Sequence, residues 1–198
     1  KVVHVTALPE GWLGKNHALA DGAAVATGEW ILFTDADIHF QPEVLRRAIA
    51  YARAQTLDHL AAVPVLGTPG LWLGSCINAF SFGFCAWLRP WKIADPRSRA
   101  HGGVGAFNLV RAATYRKLGG HVPVHLRPDD DIKLGKLMQS GGFSDFVFGA
   151  GAISVAWYAT VGEMIRGLEK NAYAAVDYRW WVPPLGLLAL ATGVVWAL

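Results

Sequence analysis

Charged side chains are scarce in this chain. They make up 17% of its 198 residues, against 53% hydrophobic, where a soluble domain usually carries about 25%. The net charge is only +3 and there is no run of Lys and Arg, which excludes an electrostatic nucleic-acid clamp. Only two cysteines occur. Cys76 and Cys85 lie in an apolar stretch without metal-ligand spacing, as expected of reduced residues in a core or beside a membrane. The seven histidines form no H-E-x-x-H or Cys/His zinc pattern, and no G-x-S-x-G elbow is present. No internal repeat, low-complexity segment or signal peptide is visible. What the chain has in excess is glycine (22), tryptophan (9) and long apolar runs.

The apolar periodicity predicts alternating strands and helices. Strands are expected over Val2–Thr6, Trp30–Thr34 and Leu60–Leu66, with helices over His17–Thr27 and Pro42–Ala54 between them. Strands over Ala106–Val110, Phe143–Phe148 and Ala152–Trp157 follow, with helices over Ala112–Leu118 and Asp131–Gln139. This order predicts an α/β domain: a mixed, mostly parallel sheet flanked by helices.

Four segments could carry chemistry. Asp35-Ala36-Asp37 follows a buried strand, at the edge where open α/β sheets bind ligands. Residues i and i+2 of an extended segment share a side, so the two carboxylates repel unless a cation lies near. A hard divalent ion, Mg²⁺ or Mn²⁺, suits such oxygens and bridges them to phosphates. Gly14-Lys15 opens a helix, a place that favours anions. The Walker spacing fails there, with Asn16 where Ser or Thr is required. Asp129-Asp130-Asp131 opens another helix. One or two acids suit a helix start; three crowd, and crowding raises a carboxyl pKa toward that of a general base. Gly102-Gly103-Val104-Gly105 enters a strand without a G-x-G-x-x-G pattern, and its glycines could admit an acceptor to the backbone.

Taken together, the set resembles the family 2 glycosyltransferases of GT-A (Rossmann-like) fold. Gly14-Lys15, Gly28, Phe33-Thr34-Asp35-Ala36-Asp37, Gly103–Arg111 with Gly119-Gly120, and Asp130-Asp131-Ile132-Lys133-Leu134 with Gly141-Gly142 stand in that family's order across about residues 3–150. The resemblance implies an inverting, metal-dependent transfer of a sugar from a nucleotide-sugar donor, a UDP-sugar foremost. Lys15, Asp35 and Asp37 would bind the donor, with Asp37 on the divalent cation. Asp131 would be the base and Asp130 its acidic neighbour. Gly103, Gly105, Phe107, Arg179 and Trp180 would face the acceptor. The membrane-associated branch, ceramide-glucosyltransferase-like or hopanoid-associated, is the nearest in character. Val176-Asp177-Tyr178-Arg179-Trp180 keeps the Arg-Trp of that branch's Q-x-x-R-W motif but not its Gln. The family's first strand and early nucleotide-binding carboxylate would precede Lys1, so the chain is expected to be a piece lacking an N-terminal part, inactive alone.

Three divisions are expected: a catalytic domain over 1–158, an amphipathic interfacial helix over 159–180, and the start of a transmembrane helix over 181–198. Val161, Met164, Ile165, Leu168, Ala172 and Ala175 recur at helical spacing. Trp180 and Trp181 then precede an uncharged run, where indoles favour the water–lipid boundary. Leu71–Leu88 is a second apolar run, interrupted by Gly74, Ser75, Asn78, Ser81 and Gly83. It reads as a core helix or an in-plane membrane helix. These features point to a lipid or lipid-linked acceptor and to a catalytic domain on the cytoplasmic face of the cell membrane. A processive polysaccharide synthase, a nucleotidyltransferase and a non-catalytic nucleotide-sugar-binding scaffold are the alternatives.

Overall fold

A computed structural model describes residues 2–182 and 184. The elements run α1 (Gly14–Ala24), β1 (Trp30–Phe33), β2 (His39–Phe40), α2 (Val44–Ala54), β3 (His59–Val63), β4 (Val65–Gly67), α3 (Leu71–Leu88), β5 (Asn108–Arg111), α4 (Ala112–Lys117), α5 (Asp130–Gly141), β6 (Ser144–Phe148), β7 (Ile153–Ala156) and α6 (Val161–Ala175). The expected transmembrane start over 181–198 lies almost wholly outside the described residues.

The fold is mixed α/β, as the alternation predicts, but it is not mostly parallel. One sheet has the order β1-β5-β3-β6, and a smaller one β2-β7-β4. Only β3–β6 and β4–β7 are parallel; β5 runs antiparallel to both β1 and β3. The reason is the connection. A parallel neighbour needs a helical crossover that returns the chain to the same end of the sheet. The chain instead leaves β4 through α3 and a long loop and enters β5 from the opposite end. Pro64, which has no N–H to donate, separates β3 from β4, so the single expected strand over Leu60–Leu66 is divided between two sheets. The expected strand over Val2–Thr6 is irregular and exposed; among the described residues no strand pairs with it.

Alternation along β3 and β5 divides the core. Leu60, Ala62, Phe107 and Leu109 face α2 and pack with Val44, Ala52 and Leu57. Ala61 faces the other way, with Leu88, Ile93, Ile132 and Phe146. Val110 joins Ile31, Phe33, Leu134 and Met138 between α1, α4 and α5. Phe107 is only 1% exposed and sits edge-on to Phe40. It therefore belongs to the core and offers no surface to an acceptor, contrary to the expectation drawn from its motif.

Leu73 and Ile77 of α3 meet Met164 of α6 in a fourth cluster. α6 is closed at its start by a reciprocal cap: Glu163 N–H donates to Thr160 Oγ1, and Ala159 N–H donates to Glu163 Oε2. The expected interfacial helix thus docks on the domain through α3.

Phe107→Ala should lower stability by about 3–5 kcal/mol, the usual cost of emptying a buried aromatic site. Urea unfolding would read this as a lower midpoint. An unchanged midpoint would return Phe107 to the surface.

Candidate active site

Helix α5 begins with carboxylates at three successive positions, and each is held differently. Asp129 is almost wholly buried. Arg127 Nε and Nη2 donate to its two oxygens at 2.8 and 2.9 Å, and Lys133 Nζ stands 3.7 Å away, one turn on. Asp130, also buried, pairs with Lys15 Nζ at 3.2 Å. Asp131 has no ion-pair partner of its own among the described residues, and feels the Lys15 charge only at longer range. Its Oδ2 accepts from Gly105 N–H and its Oδ1 from Ile132 N–H, both at 2.8 Å. Burial, with the adjacent Asp130 carboxylate adding to it, pushes the Asp131 carboxyl up to about 6. Burial raises Asp130 as well, against the pull of Lys15. One carboxylate of the three is left available to accept a proton.

Lys15 is brought there by the start of α1. Asn16, buried beside it, donates through Nδ2 to the carbonyl oxygens of Val124, His125 and Arg127 at 2.9–3.1 Å. Leu13 N–H donates to His125 O. The first turn of α1 is thereby stapled to the segment leading into α5. Lys15 Nζ reaches both Asp130 and Asp35, the latter at 3.4 Å. Burial would lower the Lys15 pKa, but Asp130, Asp35 and Asp131 together raise it, so it stays charged.

Asp35 follows β1. Its N–H donates to Gly105 O at 2.9 Å, and Thr34 Oγ1 donates to Ala106 O at 2.8 Å. Gly105 therefore sits between the two ends of the site, accepting from Asp35 and donating to Asp131. A Cβ at Gly105 would strike the Asp35 carboxylate. At Gly103 it would strike the Asp131 carbonyl oxygen, and at Gly135 the Gly102 carbonyl oxygen. The glycine-rich loop is thus used to seat the backbone against α5. Gly103 and Gly105 lie at the site, spent on these internal contacts.

Behind Asp131 runs a buried polar pair that sequence reasoning missed. Asn108 Nδ2 donates to the Asp131 carbonyl at 3.2 Å, which leaves Asn108 Oδ1 to accept from His59 Nε2–H at 2.5 Å. Burial pushes His59 down to about 4, so the ring is neutral and acts as a fixed support. The alternation that sends Phe107 and Leu109 to the α2 side was the available signal for Asn108.

The other expected residues are placed as follows. Asp37 is exposed, two residues beyond Asp35. Among the described residues no three Asp, Glu, His or Cys side chains form a closed metal shell. As oxygen donors, Asp35 and Asp37 are of the type a hard divalent cation takes, not the Cys and His set of a structural zinc, and Asp35 is also paired with Lys15. Trp180 is 73% exposed, and the Arg179 guanidinium lies 6.0 Å over the Trp181 ring; no ion pair or hydrogen bond joins either to the carboxylates among the described residues. The neighbour that does reach the site is Asp177. Its Oδ1 takes Lys133 Nζ at 2.7 Å and Arg127 Nη2 at 3.0 Å, and Lys133 holds its carboxyl below the usual range. Arg127 also donates to Ala174 O at the end of α6. Arg127 is therefore the junction of α1, α5 and α6.

Arg127→Gln should cost roughly 3 kcal/mol, because it leaves buried Asp129 without its bidentate partner. Asp177→Asn, at a half-exposed pair, should cost at most about 1 kcal/mol. Denaturant midpoints of the two variants check this; equal losses would deny Arg127 its central place.

Residues 1–76 match the model of the glycosyl transferase family 2. The matched stretch holds Lys15, Asp35 and Asp37, while Asp130 and Asp131 lie beyond it. Comparison with curated proteins returns no match.

Proposed function

We propose that this chain carries the catalytic centre of an inverting glycosyltransferase, moving a sugar from a nucleotide-sugar donor to a hydroxyl of a lipid or lipid-linked acceptor. The observation that carries the reading is the division of charge at the start of α5. Asp129 and Asp130 are paired with cations, and Asp131 is not. The family match over residues 1–76 supports the donor side.

In this reading Asp131 takes the proton of the acceptor hydroxyl. The freed oxygen bonds to the anomeric carbon as the bond from that carbon to the diphosphate oxygen breaks, and the electron pair leaves with the nucleoside diphosphate. Lys15, held by Asp130 and Asp35, offers a positive charge to the leaving diphosphate. A divalent cation at Asp37, when bound, would neutralise the remaining charge. Gly105 N–H and Ile132 N–H hold the Asp131 carboxylate in one orientation through proton transfer. The setting we propose is the cytoplasmic face of a membrane, with a transmembrane helix beginning in 181–198.

The test is transfer of labelled sugar by membranes carrying the full-length protein, from a panel of UDP- and GDP-sugars into a lipid extract with Mg²⁺ or Mn²⁺. Asp131→Asn should lower the rate by roughly 10²–10⁴, the usual contribution of a general base. Asp37→Ala should remove the metal dependence along with most of the rate. Protonation abolishes the base, so kcat/KM should be level above pH 6 and fall about tenfold per pH unit below it. Undiminished activity in Asp131→Asn would mean that another group is the base. Nucleotide-sugar binding without turnover on any acceptor would replace the enzyme by a binding scaffold.

A further inference from the structure

Helix α3 has an outer face that the domain does not use. Leu73 and Ile77 pack inward against α6, while Leu71, Trp72 and Phe82 are 89%, 78% and 79% exposed. Trp87 near the end of α3 and Trp91 just beyond it are also exposed. No charged residue occurs from Leu71 to Leu88. Leu71–Lys92 is long and apolar enough, by length and composition, to cross a membrane. Its inner stripe is nevertheless committed to the domain, which leaves the outer stripe free to lie in the plane of a lipid surface. The core-helix reading of this run therefore holds only for its inner stripe.

Beyond α3 the chain borders a cavity of about 480 Å³. Ile93 and Pro96 border it where the chain leaves the helix, and Arg99, His101, Lys136 and Ser144 supply its polar groups. No carboxylate lines it; Asp95 accepts from Arg97 N–H at 2.9 Å, and Asp177, near enough to act on His101 and Lys136, is paired with Lys133 and Arg127. Among the described residues, neither Arg99 nor Lys136 has an ion-pair partner. Ser144 is buried, and its Oγ has no hydrogen-bond partner. A guanidinium, an ammonium and an unpaired hydroxyl around one cavity are the donor set for a phosphate group. Asp131 is not part of this lining.

We propose that the outer face of α3 and this cavity form a docking surface for a bilayer containing anionic phospholipid, with Leu71, Trp72 and Phe82 entering its acyl region and one lipid phosphate at Arg99, Lys136 and Ser144. Charge complementarity selects the occupant. An apolar face alone would take any greasy partner, whereas one accompanied by a cationic cavity fits a lipid surface that carries anionic heads. The tryptophans at the junction sit where indoles prefer the boundary between the two. This deepens the membrane setting proposed above by naming the surface and the lipid chemistry.

The experiment is partition of the full chain onto phosphatidylcholine vesicles and onto vesicles containing phosphatidylglycerol. Wild type should prefer the anionic vesicles. Arg99→Gln/Lys136→Gln should reduce that preference by about tenfold or more, since each cation near a lipid surface contributes about a fivefold gain. Arg46→Gln/Arg47→Gln, the same charge change on α2 across the sheet, should change it less than twofold. Trp72→Ser/Phe82→Ser should weaken binding to both vesicle types, with circular dichroism unchanged. Equal losses in the two charge variants would reduce the effect to general electrostatics and overturn the site, as would unaltered binding of the Trp72/Phe82 variant. Protection of Lys136 from acylation by inorganic phosphate alone, with no vesicle preference, would assign the cavity to a free phosphate instead. No step of this readout uses sugar transfer, so a failed lipid preference leaves the transfer chemistry standing, and a failed transfer leaves the lipid site standing.

Discussion

Three aspartates in sequence cannot all be charged at one helix start without partners. The helix dipole favours one or two of them, and the rest of the repulsion must be met by cations or by protonation. The domain meets it unequally. Arg127 and Lys133 take Asp129, Lys15 takes Asp130, and Asp131 receives only backbone N–H groups. Each partner is delivered by a different part of the chain. Lys15 comes from α1, Gly105 from the loop before β5, and Arg127 from the segment that Asn16 staples and α6 abuts. The same constraint therefore organises the packing around α5 and leaves a single basic carboxylate.

Much of this was legible in the sequence. A strand ending in Asp35-Ala36-Asp37 marks a ligand edge, and Gly14-Lys15 and Asp130-Asp131 could be identified as companions from their order. The structure brings Lys15, Asp35, Asp130 and Asp131 into one cluster. What stayed hidden depends on neighbours distant in sequence. Asn16 stands out in the sequence only as a departure from a phosphate loop, whereas its three carbonyl partners lie more than a hundred residues away. Asp177 sits in the very motif that directed attention to Arg179 and Trp180, but its partners Arg127 and Lys133 are visible only once α6 is docked. The direction of β5 was not readable at all, because periodicity reports which faces are buried and not which way a strand runs.

The glycines show how one motif admits two physical explanations. Gly103 and Gly105 read as a place for a ligand to approach the backbone. In the fold the close approach is made by the domain itself: Asp131 O fills the space over Gly103, and the Asp35 carboxylate fills that over Gly105. Phe107, two residues on, alternates away from them into the α2 side of the core. The short segment Gly103–Phe107 thus turns its glycines toward Asp35 and Asp131 and its ring into the core.

Helix α5 joins the two surfaces for which roles are proposed. Its first turn bears Asp130 and Asp131, and Lys136 lies five residues on, about 7.5 Å along the axis at 1.5 Å per residue. Sliding the helix is opposed at both points. Gly103 and Gly135 hold the loop and the helix at a separation that admits no side chain, and Gln139 donates to the carbonyls of Ile93 and Ala100 at 3.2 and 2.7 Å. A ligand changes a conformational equilibrium only when two states differ in their affinity for it. The Gly103, Gly135 and Gln139 contacts hold α5 in one register. In the proposed reading a lipid at the Lys136 end would contribute place: it would hold the cluster at the lipid surface, where a lipid-borne hydroxyl is concentrated, and leave the basicity of Asp131 to burial and to Asp130.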